Sequence, residues 1–384
     1  MVEEIFIDLS GKICNFVASI NANISIIMKD NYCIIMAGGV GSRFWPYSTN
    51  RRPKQFLDFL GTGRSLLQMT FNRLDGIVPD ENILIVTNQI YKDTILKQLP
   101  RLTPSQVLLE PMRRNTAPCI AYAVYRIRKQ NQKANIVVLP SDHLIADEQE
   151  FRSCVIEGLN FVANHDAILT LGMKVTRPET GYGYIQMGDD KGEIRTVKTF
   201  TEKPNLEMAQ LFLSTGEFCW NSGMFLWRAD VINQEMHQLL PDVAELFDSI
   251  EPLIGTNDEQ EAIDRIYPEC PNISIDYGVM EKTKRVYVML ADFGWSDLGT
   301  WSSLYDISSK DDKGNAAVHC RSQFYDAHNN IVALASDELA VIDGLDGFLI
   351  ARDHGVLLIC PKDQEAKIRQ YVDDVETRFG KELV

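Results

Sequence analysis

The sequence lacks the features that define several large classes of protein. None of its eight cysteines forms a Cys-x-x-Cys pair, and no cluster of histidine and cysteine has the spacing of a zinc site. No apolar run is long enough to cross a membrane, because the most apolar early stretch, residues 14–28, is interrupted by asparagine and serine. These absences disfavour a zinc-binding protein, a disulfide-rich secreted domain and a membrane-spanning protein.

Positive charge is also scarce. The chain has 38 lysine and arginine residues against 53 aspartate and glutamate residues, a net charge of −15. Such a chain repels phosphate backbones over most of its surface, so we expect neither nucleic acid nor a membrane among its partners. Cysteines within apolar runs and an acidic start without the basic region of a signal peptide predict a reduced, cytoplasmic protein.

The length of 384 residues is sufficient for two or three domains. Residues 1–30 have no clear period, and we expect an N-terminal extension, with Met28 as the physiological start or residues 1–27 as a loose segment. An ordinary packed element is the alternative. We interpret residues 31–305 as one catalytic domain, and residues 306–384 as a small β module followed by a terminal helix.

Short apolar runs alternate with longer amphipathic runs between residues 32 and 174. This alternation is typical of strands covered by helices on both faces, so we predict an α/β fold with a Rossmann-like, mostly parallel sheet. The predicted strands are Cys33–Met36, Ile83–Thr87, Val107–Leu109, Ile136–Leu139 and Ile168–Gly172, and the predicted helices are Leu66–Leu74, Tyr91–Leu99, Ala117–Lys129 and Phe151–Ala163. Ligands of such sheets bind at the carboxyl ends of the strands.

The pattern changes after residue 310. Four short apolar runs at regular spacing predict a small β module of hairpins or of helical, β-helix-like rungs. These runs are Asn330–Leu334, Leu339–Ile342, Phe348–Ala351 and Val356–Ile359. Apolar residues at helical spacing then predict one apolar face on a last helix, formed by Ile368, Val372, Val375 and Phe379.

A glycine-rich loop follows the first predicted strand. Glycines at 38, 39 and 41 allow backbone N–H groups to approach a phosphate without interference from a Cβ atom. The pattern differs from a dinucleotide-binding fingerprint, since Phe44 stands where the third glycine belongs, and no Gly-Lys-Ser/Thr of a Walker A loop is present. The nucleotide-binding candidates here are Gly38, Gly39 and Gly41.

Two basic residues follow this loop. Arg43 comes directly after it, and Lys54 lies within Pro53-Lys54-Gln55. Both side chains could converge on a triphosphate tail. The alternative is a tight turn with solvated basic residues.

At this point the sequence resembles a known family. Gly38-Gly39-Val40-Gly41-Ser42-Arg43-Phe44-Trp45-Pro46-Tyr47-Ser48, followed by Pro53-Lys54-Gln55-Phe56, is similar to the signature of the sugar-1-phosphate nucleotidylyltransferases. The resemblance extends from about residue 32 to the C-terminus. It implies transfer of GMP from GTP to α-D-mannose 1-phosphate with Mg²⁺, giving GDP-mannose and pyrophosphate.

Two other functions stay open at this stage. The chain could use another sugar 1-phosphate, such as a heptose phosphate, or it could be a catalytically silent regulatory homologue that binds a nucleotide sugar. A Rossmann dehydrogenase is disfavoured by the missing third glycine. Some relatives carry an additional C-terminal isomerase domain, which would begin about where this sequence ends, so we expect a single activity. A homodimer is an expectation from the family.

The metal candidates are two aspartates. Asp142 lies at the carboxyl end of the strand predicted at 136–139, where one carboxylate with phosphate oxygens and water suits Mg²⁺. The resemblance implies that Asp297 is a second ligand. The alternatives are a helix N-cap or a turn for Asp142, and a cap of a helix over 298–305 for Asp297. We expect His143 to support a neighbouring ligand residue or to be structural.

The remaining candidates come mainly from the resemblance. Glu110 and Asn115 would read the guanine base, since a carboxylate can accept hydrogen bonds from the donor edge of guanine. Asn115 could instead simply cap the helix that follows. The sugar-phosphate candidates are Gly183, Glu202, Lys203, Asn221 and Asp276. Among the basic residues, Arg43 would stabilise the leaving pyrophosphate with Lys54 beside it, and Lys203 would hold the attacking phosphate.

Overall fold

The computed structural model describes residues 29–335 and 337–384, and these form two compact units. The sheet unit consists of the described part of Met1–Met36 together with Leu74–Leu139 and Gln149–Ala291. The C-terminal unit consists of Ala37–Arg73, Pro140–Glu148 and Asp292–Val384, apart from residue 336. The extension expected before residue 29 lies outside the described residues.

The regular elements are numbered here along the chain. The strands are β1 Asn31–Met36, β2 Ile83–Asn88, β3 Val107–Glu110, β4 Asn135–Pro140, β5 Leu144–Ile145, β6 Ile168–Lys174, β7 Tyr184–Met187, β8 Ile194–Thr201, β9 Phe218–Arg228, β10 Val286–Ala291, β11 Trp295–Ser296, β12 Ala316–Val318, β13 Arg321–Tyr325, β14 Ile331–Ala333, β15 Leu339–Asp343, β16 Phe348–Asp353 and β17 Val356–Pro361. The helices are α1 Leu66–Asn72, α2 Lys92–Gln98, α3 Thr116–Arg128, α4 Glu148–Asn164, α5 Leu206–Thr215, α6 Ala229–Leu239, α7 Pro241–Ile250, α8 Glu259–Ile266, α9 Trp301–Ile307 and α10 Ile368–Phe379.

The sheet unit is built on one mixed sheet with the strand order β3-β2-β1-β4-β9-β6-β10-β8-β7. The pairs β1–β2, β2–β3 and β6–β10 are parallel. β9 runs antiparallel to both β4 and β6, and β8 runs antiparallel to β7 and β10. The prediction of a mostly parallel sheet is therefore wrong for the sheet as a whole, although the α/β class is confirmed.

The physical reason lies in the connections. A parallel neighbour needs a long crossover, usually a helix, whereas a direct connection returns an antiparallel strand. Helices separate the first strands, whereas β7 and β8 follow each other without a helix between them and pair antiparallel. Residues 175–291 thus supply four strands of this sheet, β7 to β10.

Helix α3 shows how the core of the sheet unit forms. Ten of its 13 residues are buried, including Tyr122, Tyr125 and Ile127. They share one hydrophobic cluster with strand residues such as Ile34 and Trp227. Because α3 is buried on nearly every side, almost all of its residues are apolar. This packing also places the end of β3 beside the start of α3.

The C-terminal unit contains two parallel ladders. β12, β14 and β16 pair in parallel in that order, and β13 pairs in parallel with β15, while β17 returns antiparallel to β16. Asn330 is fully buried and ties successive turns, because its Nδ2 donates to the Leu345 carbonyl at 2.8 Å and its Oδ1 accepts from the Phe348 N–H at 2.8 Å. The sequence pattern found β14 to β17 but missed β12 and β13, which are short or alternate with exposed residues.

The predicted terminal helix is present as α10, and it spans Ile368–Phe379. Ile368 is fully buried, and Val372 and Val375 pack partly buried on the same core as Phe44 and Trp301. Phe379 is 71% exposed, so its predicted place on the apolar face is wrong. The packed face of α10 ends one turn before the helix does.

The seven cysteines among the described residues are free thiols, and six of them are buried. None of the helices found within the described residues is both long and apolar enough to cross a membrane.

Candidate active site

The glycine loop in the C-terminal unit has a backbone that glycine makes possible. Gly41 has a φ of +67°, and a Cβ atom at this position would lie 2.7 Å from the Cβ atom of Lys54. Within the described residues, no hydrogen bond uses an N–H group of residues 38–43. The loop therefore keeps a row of donors available for an anion, as its glycines predict.

Side chains that the sequence analysis gave no role hold this loop in place. Gln55 Nε2 donates to the carbonyl oxygens of Ala37 at 3.1 Å and Gly39 at 2.9 Å. Ser48 Oγ donates to the carbonyl oxygen of Val40 at 2.6 Å. These bonds occupy the carbonyl groups of the loop and leave its N–H groups free for a ligand. Gln55 stands next to Lys54 in the motif, and that adjacency was the available signal.

Lys54 has more protein partners than the sequence suggested. Its buried ammonium lies 2.9 Å from Asp142 Oδ2 and donates to the carbonyl oxygens of Asp297 at 2.7 Å and Leu298 at 2.9 Å. An ammonium has three donors, and three protein acceptors are within reach here. Lys54 thus binds the Asp142 carboxylate and the Asp297 backbone at the same time.

Asp142 and His143 follow β4, and the charge of each affects the pKa of the other. Burial alone would raise the pKa of Asp142, but the positive charge of Lys54 and the neighbouring His143 outweigh this effect and hold the pKa below its usual value. Burial lowers the pKa of His143. Trp295 Nε1 donates to His143 Nδ1 at 3.1 Å, which fits a neutral imidazole with its proton on Nε2. His143 is thus held by Trp295 with its Nε2 atom 3.9 Å from Asp142 Oδ1.

Asp297 lies in a tight turn rather than at a helix cap. Its Oδ1 accepts from the Gly299 N–H at 2.9 Å, and the intervening Leu298 has a φ of +44°. The helix that follows, α9, begins at Trp301 and is capped by Thr300, whose side chain accepts from the Ser303 N–H. The alternative that Asp297 caps this helix is therefore wrong.

These groups line one cavity of about 360 Å³ within the C-terminal unit. The charged and loop residues around it are Gly41, Ser42, Arg43, Lys54, Asp142, His143, Asp297, Gly299 and Arg369. The structure thus brings Arg43, Lys54 and both metal candidates together. Arg369 is an addition that the sequence analysis missed, because it lies on a helix that was interpreted only by its apolar face.

The donors at this cavity bear on whether it could hold a divalent cation. Among the described residues, no group of three or more His, Cys, Asp or Glu side chains is arranged to hold a metal ion. Asp142 and Asp297 offer hard carboxylate oxygens, but Lys54 already binds one oxygen of Asp142. This donor set fits Mg²⁺ that is held jointly with substrate phosphates, since Mg²⁺ commonly takes one or two carboxylates and completes its shell with phosphate and water.

In the sheet unit, Glu110 ends β3 as a buried carboxyl group. The hydroxyl of Tyr267 donates to Glu110 Oε1. Burial raises the pKa of Glu110 to about 7, although the Tyr267 hydrogen bond and the charge of Arg113 oppose the rise. Tyr267 orients this carboxyl, and sequence reasoning missed it because the two residues are 157 positions apart.

Asn115 lies at the start of α3 with a φ of +64°. Its Oδ1 accepts from the Thr116 N–H at 3.0 Å, so the capping function is present. The side-chain Nδ2 makes no hydrogen bond within the described residues and can still donate to a ligand. Capping and base recognition are therefore compatible.

The sugar-phosphate candidates of the sheet unit lie in contact with one another. Asn221 Nδ2 donates to Asp276 Oδ1 at 2.9 Å, and the Asn221 N–H donates to the Gly183 carbonyl at 2.8 Å. A Cβ atom on Gly183 would lie 2.5 Å from Glu202 Oε2, so a larger residue here would displace the Glu202 carboxylate. Gly183, Glu202, Asn221 and Asp276 form what we call the polar cluster.

Charge within the polar cluster is unevenly compensated. Lys203 has a φ of +45°, and its ammonium forms an ion pair with the Glu202 carboxylate while remaining more than half exposed. Burial, together with the negative charge of Glu202, raises the pKa of Asp276 to about 6. The cluster therefore offers carboxyl and amide groups for hydroxyls beside one exposed cation.

The polar cluster is tied to the segment that carries Glu110 and Asn115. The Ile275 N–H donates to Thr116 Oγ1 at 2.8 Å, and the Ala117 N–H donates to the Ile273 carbonyl at 3.1 Å. The first turn of α3 is thus bonded to the chain directly before Asp276. A rigid link of this kind keeps the two groups of candidates in fixed register within the sheet unit.

Comparison with known proteins agrees with this arrangement. The family model described as nucleotidyl transferase matches residues 32–314. The chain therefore belongs to the nucleotidyl transferase family, and it is an enzyme of that kind. The resemblance seen in the glycine loop and the Pro-Lys-Gln segment is confirmed.

Individual relatives extend this match to most of the chain. It is 34% identical to a mannose-1-phosphate guanylyltransferase of Escherichia coli, over 91% of this chain and 76% of that protein. It is 36% identical to the xanthan biosynthesis protein XanB of Xanthomonas campestris, over 91% of this chain and 74% of that protein. A crystal structure described as mannose-1-phosphate geranyltransferase, from Thermus thermophilus, is 31% identical with a TM-score of 0.81, covering 90% of this chain and 99% of that one.

Proposed function

We propose that this enzyme transfers GMP from GTP to α-D-mannose 1-phosphate, giving GDP-mannose and pyrophosphate. The cavity of the C-terminal unit carries the proposal, because it combines unbonded loop N–H groups, Arg43 and two carboxylates. Such a set suits a polyphosphate bound with a divalent cation. The choice of sugar and base follows the names of the relatives, several of which are mannose-1-phosphate guanylyltransferases.

Base recognition is proposed for Glu110 and Asn115. An ionised Glu110 can accept from the N1–H and N2–H₂ groups of guanine, a donor edge that adenine, cytosine and thymine do not offer in the same form. Tyr267 holds one oxygen of Glu110 and leaves the other available. Asn115 would add a donor from Nδ2.

The sugar phosphate is assigned to the polar cluster and to Lys203. The carboxyl and amide groups of Glu202, Asn221 and Asp276 suit sugar hydroxyls, which need both donors and acceptors. Gly183 would bring backbone close to the sugar. The exposed Lys203 ammonium would hold the phosphate.

The reaction needs no general base, because the nucleophile is already an anion. An oxygen of mannose 1-phosphate attacks the α-phosphorus of GTP, and the bond to the bridging oxygen of the β-phosphate breaks, so that pyrophosphate leaves with the electron pair. The enzyme contributes position and charge compensation. Lys203 orients the attacking phosphate, Arg43 and the loop N–H groups stabilise the leaving pyrophosphate, and Lys54 keeps Asp142 in place.

Asp142 and Asp297 are the residues that would hold Mg²⁺. When bound, Mg²⁺ offsets part of the negative charge on the two reacting phosphates. Lys54 fixes the Asp142 carboxylate and the Asp297 backbone before any ligand arrives. This preorganisation lowers the cost of assembling the charged groups.

The proposal also covers the domain organisation, the oligomeric state and the cellular location of the protein. The two parallel ladders after residue 315 support a short β-helix-like module. We propose that residues 31–305 form the catalytic domain and that residues 306–384 form this module with its terminal helix, which adds Arg369 to the cavity. We also propose a homodimer and a cytoplasmic location, the latter supported by seven free thiols among the described residues.

The direct test is pyrophosphate release from GTP, ATP, CTP and dTTP with Mg²⁺ against a panel of sugar 1-phosphates. We expect release with GTP and mannose 1-phosphate and little with CTP or dTTP. Activity only with another sugar would keep the phosphate and base assignments and discard mannose. Binding of GTP or GDP-mannose without turnover on any sugar would favour the silent regulatory homologue.

A further inference from the structure

Arg369 faces the same cavity as the glycine loop. It is the second residue of α10 and lines the cavity with Gly41, Arg43 and both aspartates, although it lies 326 positions after Arg43 in the chain. The family model ends at residue 314, so nothing in that match concerns Arg369. Its position raises the question of which charge it compensates.

Packing fixes both arginines at the cavity. Phe44 follows Arg43 and Ile368 precedes Arg369, and these two apolar side chains are fully buried in one hydrophobic cluster of the C-terminal unit. Trp45 Nε1 also donates to the carbonyl of Leu383 at 2.8 Å, which ties the loop to the end of the chain. Each arginine is therefore the chain neighbour of a buried apolar residue that holds its backbone in place.

The two arginines carry charge that the protein does not neutralise. Lys54 is paired with Asp142, but neither Arg43 nor Arg369 has an ion pair or hydrogen bond within the described residues. Both side chains are exposed at the cavity. Two unpaired guanidinium groups beside unbonded N–H groups suit an anion with several phosphate oxygens, because a guanidinium can bind two of them at once.

We propose that Arg369 binds the terminal phosphates of the nucleoside triphosphate and, after transfer, the pyrophosphate product. This inference rests on the proposed nucleotidyl transfer, and it assigns the C-terminal helix a direct place in substrate binding. Arg43 and Arg369 hold the leaving group from two different elements. The sugar phosphate stays with Lys203 and the polar cluster.

The experiment compares Arg369→Ala with Arg378→Ala, an exposed arginine near the end of the same helix that does not line the cavity. We expect Arg369→Ala to weaken binding of inorganic pyrophosphate with Mg²⁺ by about tenfold or more in titration calorimetry. The KM for GTP should rise by a similar factor, and the KM for mannose 1-phosphate should stay within about twofold. Arg378→Ala should match the wild type in all three.

A conservative variant separates binding from packing. Arg369→Lys should recover part of the pyrophosphate affinity, because it keeps the charge, whereas Arg369→Gln should behave like Arg369→Ala. If Arg369→Ala lowers the thermal midpoint, the comparison of Lys with Gln decides the outcome. Equal affinity of the Lys and Gln variants for pyrophosphate would overturn the inference.

The inference and the proposed function can fail separately. Wild-type transfer of GMP to mannose 1-phosphate with unchanged pyrophosphate affinity in Arg369→Ala overturns the inference alone. Arg369-dependent binding of pyrophosphate without transfer to mannose 1-phosphate supports the inference and contradicts the proposed function. A wild type that binds no pyrophosphate overturns the inference as well.

Discussion

At the scale of the residue, two neighbouring cations of the C-terminal unit differ in their surroundings. Lys54 is buried and bound to Asp142 and to two backbone carbonyls, whereas Arg43 is exposed at the cavity and has no ion pair or hydrogen bond within the described residues. A buried ammonium whose hydrogen bonds are all made stabilises the local structure, whereas an unpaired guanidinium can bind an anionic ligand. We therefore expect Lys54 to position the site and Arg43 to bind substrate.

Replacing Lys54 tests its structural part. Lys54→Met would leave the Asp142 carboxylate without its partner, and we expect the free energy of unfolding to fall by about 3 kcal/mol. Lys198→Met is the matched control, because Lys198 pairs with the 90% exposed Asp189 at the surface and its loss should have no measurable effect. Urea unfolding of both variants measures the difference. Equal stability of Lys54→Met and the wild type would contradict this role.

Replacing Arg43 tests its catalytic part. Arg43→Ala should lower kcat by about 10²–10³, as expected for the loss of one preorganised donor at the leaving group. Arg64→Ala, an exposed arginine outside the cavity, should keep wild-type kinetics. Steady-state assays with GTP and mannose 1-phosphate give the comparison. An Arg43→Ala enzyme with more than half the wild-type rate would remove Arg43 from the mechanism.

The raised pKa of Glu110 gives a pH prediction. Guanine donors bind the ionised carboxylate, and below the pKa of about 7 the carboxyl becomes protonated in the free enzyme. The KM for GTP should therefore rise as pH falls from 8 to 6, approaching tenfold per unit at the acid end. In Glu110→Gln the KM should be higher and lack this dependence. If the KM for GTP depends on pH in the same way in the wild type and in Glu110→Gln, Glu110 does not recognise the base.

Single residues were predictable where the motif was local. Arg43 and Asp142 were placed by short segments and Asp297 by the family resemblance, and the structure brings the three residues to one cavity. Tyr267 and Arg369 were missed, because Tyr267 lies 157 positions from Glu110, Arg369 is farther still from the glycine loop, and no local pattern marks either residue. The roles of all these residues in the reaction are proposals.

At the scale of the element, the turn formed by residues 38–43 depends on glycine at position 41. Gly41 has a positive φ and also lies close to Lys54, whereas Gly63 has a φ of +78° and no other atom within 4 Å of the position that a Cβ atom would take. The two glycines thus separate backbone strain from close packing. Both lie in the C-terminal unit.

Alanine at each position tests this separation. Gly63→Ala should cost about 1 kcal/mol through its positive φ alone and keep activity. Gly41→Ala adds a contact of 2.7 Å with Lys54, so it should be less stable than Gly63→Ala and bind GTP at least tenfold more weakly. Thermal unfolding and the KM for GTP are the measurements. Similar behaviour of the two variants would mean that the approach of Lys54 does not shape the loop.

The observed bounds of helices and strands agree closely with the predicted bounds where the prediction rests on the periodicity of neighbouring residues. The predicted strands of residues 33–172 and the four helices between them differ from the observed bounds by at most three residues at either end. Apolar runs and caps are properties of neighbouring residues, so they can be read along the chain. The 11-residue strand β9 was not predicted, because its place between β4 and β6 depends on pairing with distant segments.

At the scale of the whole molecule, the chain supplies two separate sets of groups. The C-terminal unit holds the glycine loop, the arginines and the two aspartates, and the sheet unit holds Glu110 and the polar cluster. The first set matches the chemistry of a polyphosphate, and the second offers hydrogen-bonding groups for a base and a sugar. This division agrees with a reaction that joins a nucleotide to a sugar phosphate.

The proposed reaction moves GMP from GTP to mannose 1-phosphate on this protein. Phosphorus NMR of the purified enzyme with GTP, mannose 1-phosphate and Mg²⁺ follows substrates and products together. We expect pyrophosphate and GDP-mannose to appear in equal amounts and no orthophosphate to form. Unchanged spectra, or release of orthophosphate with GDP, would contradict it.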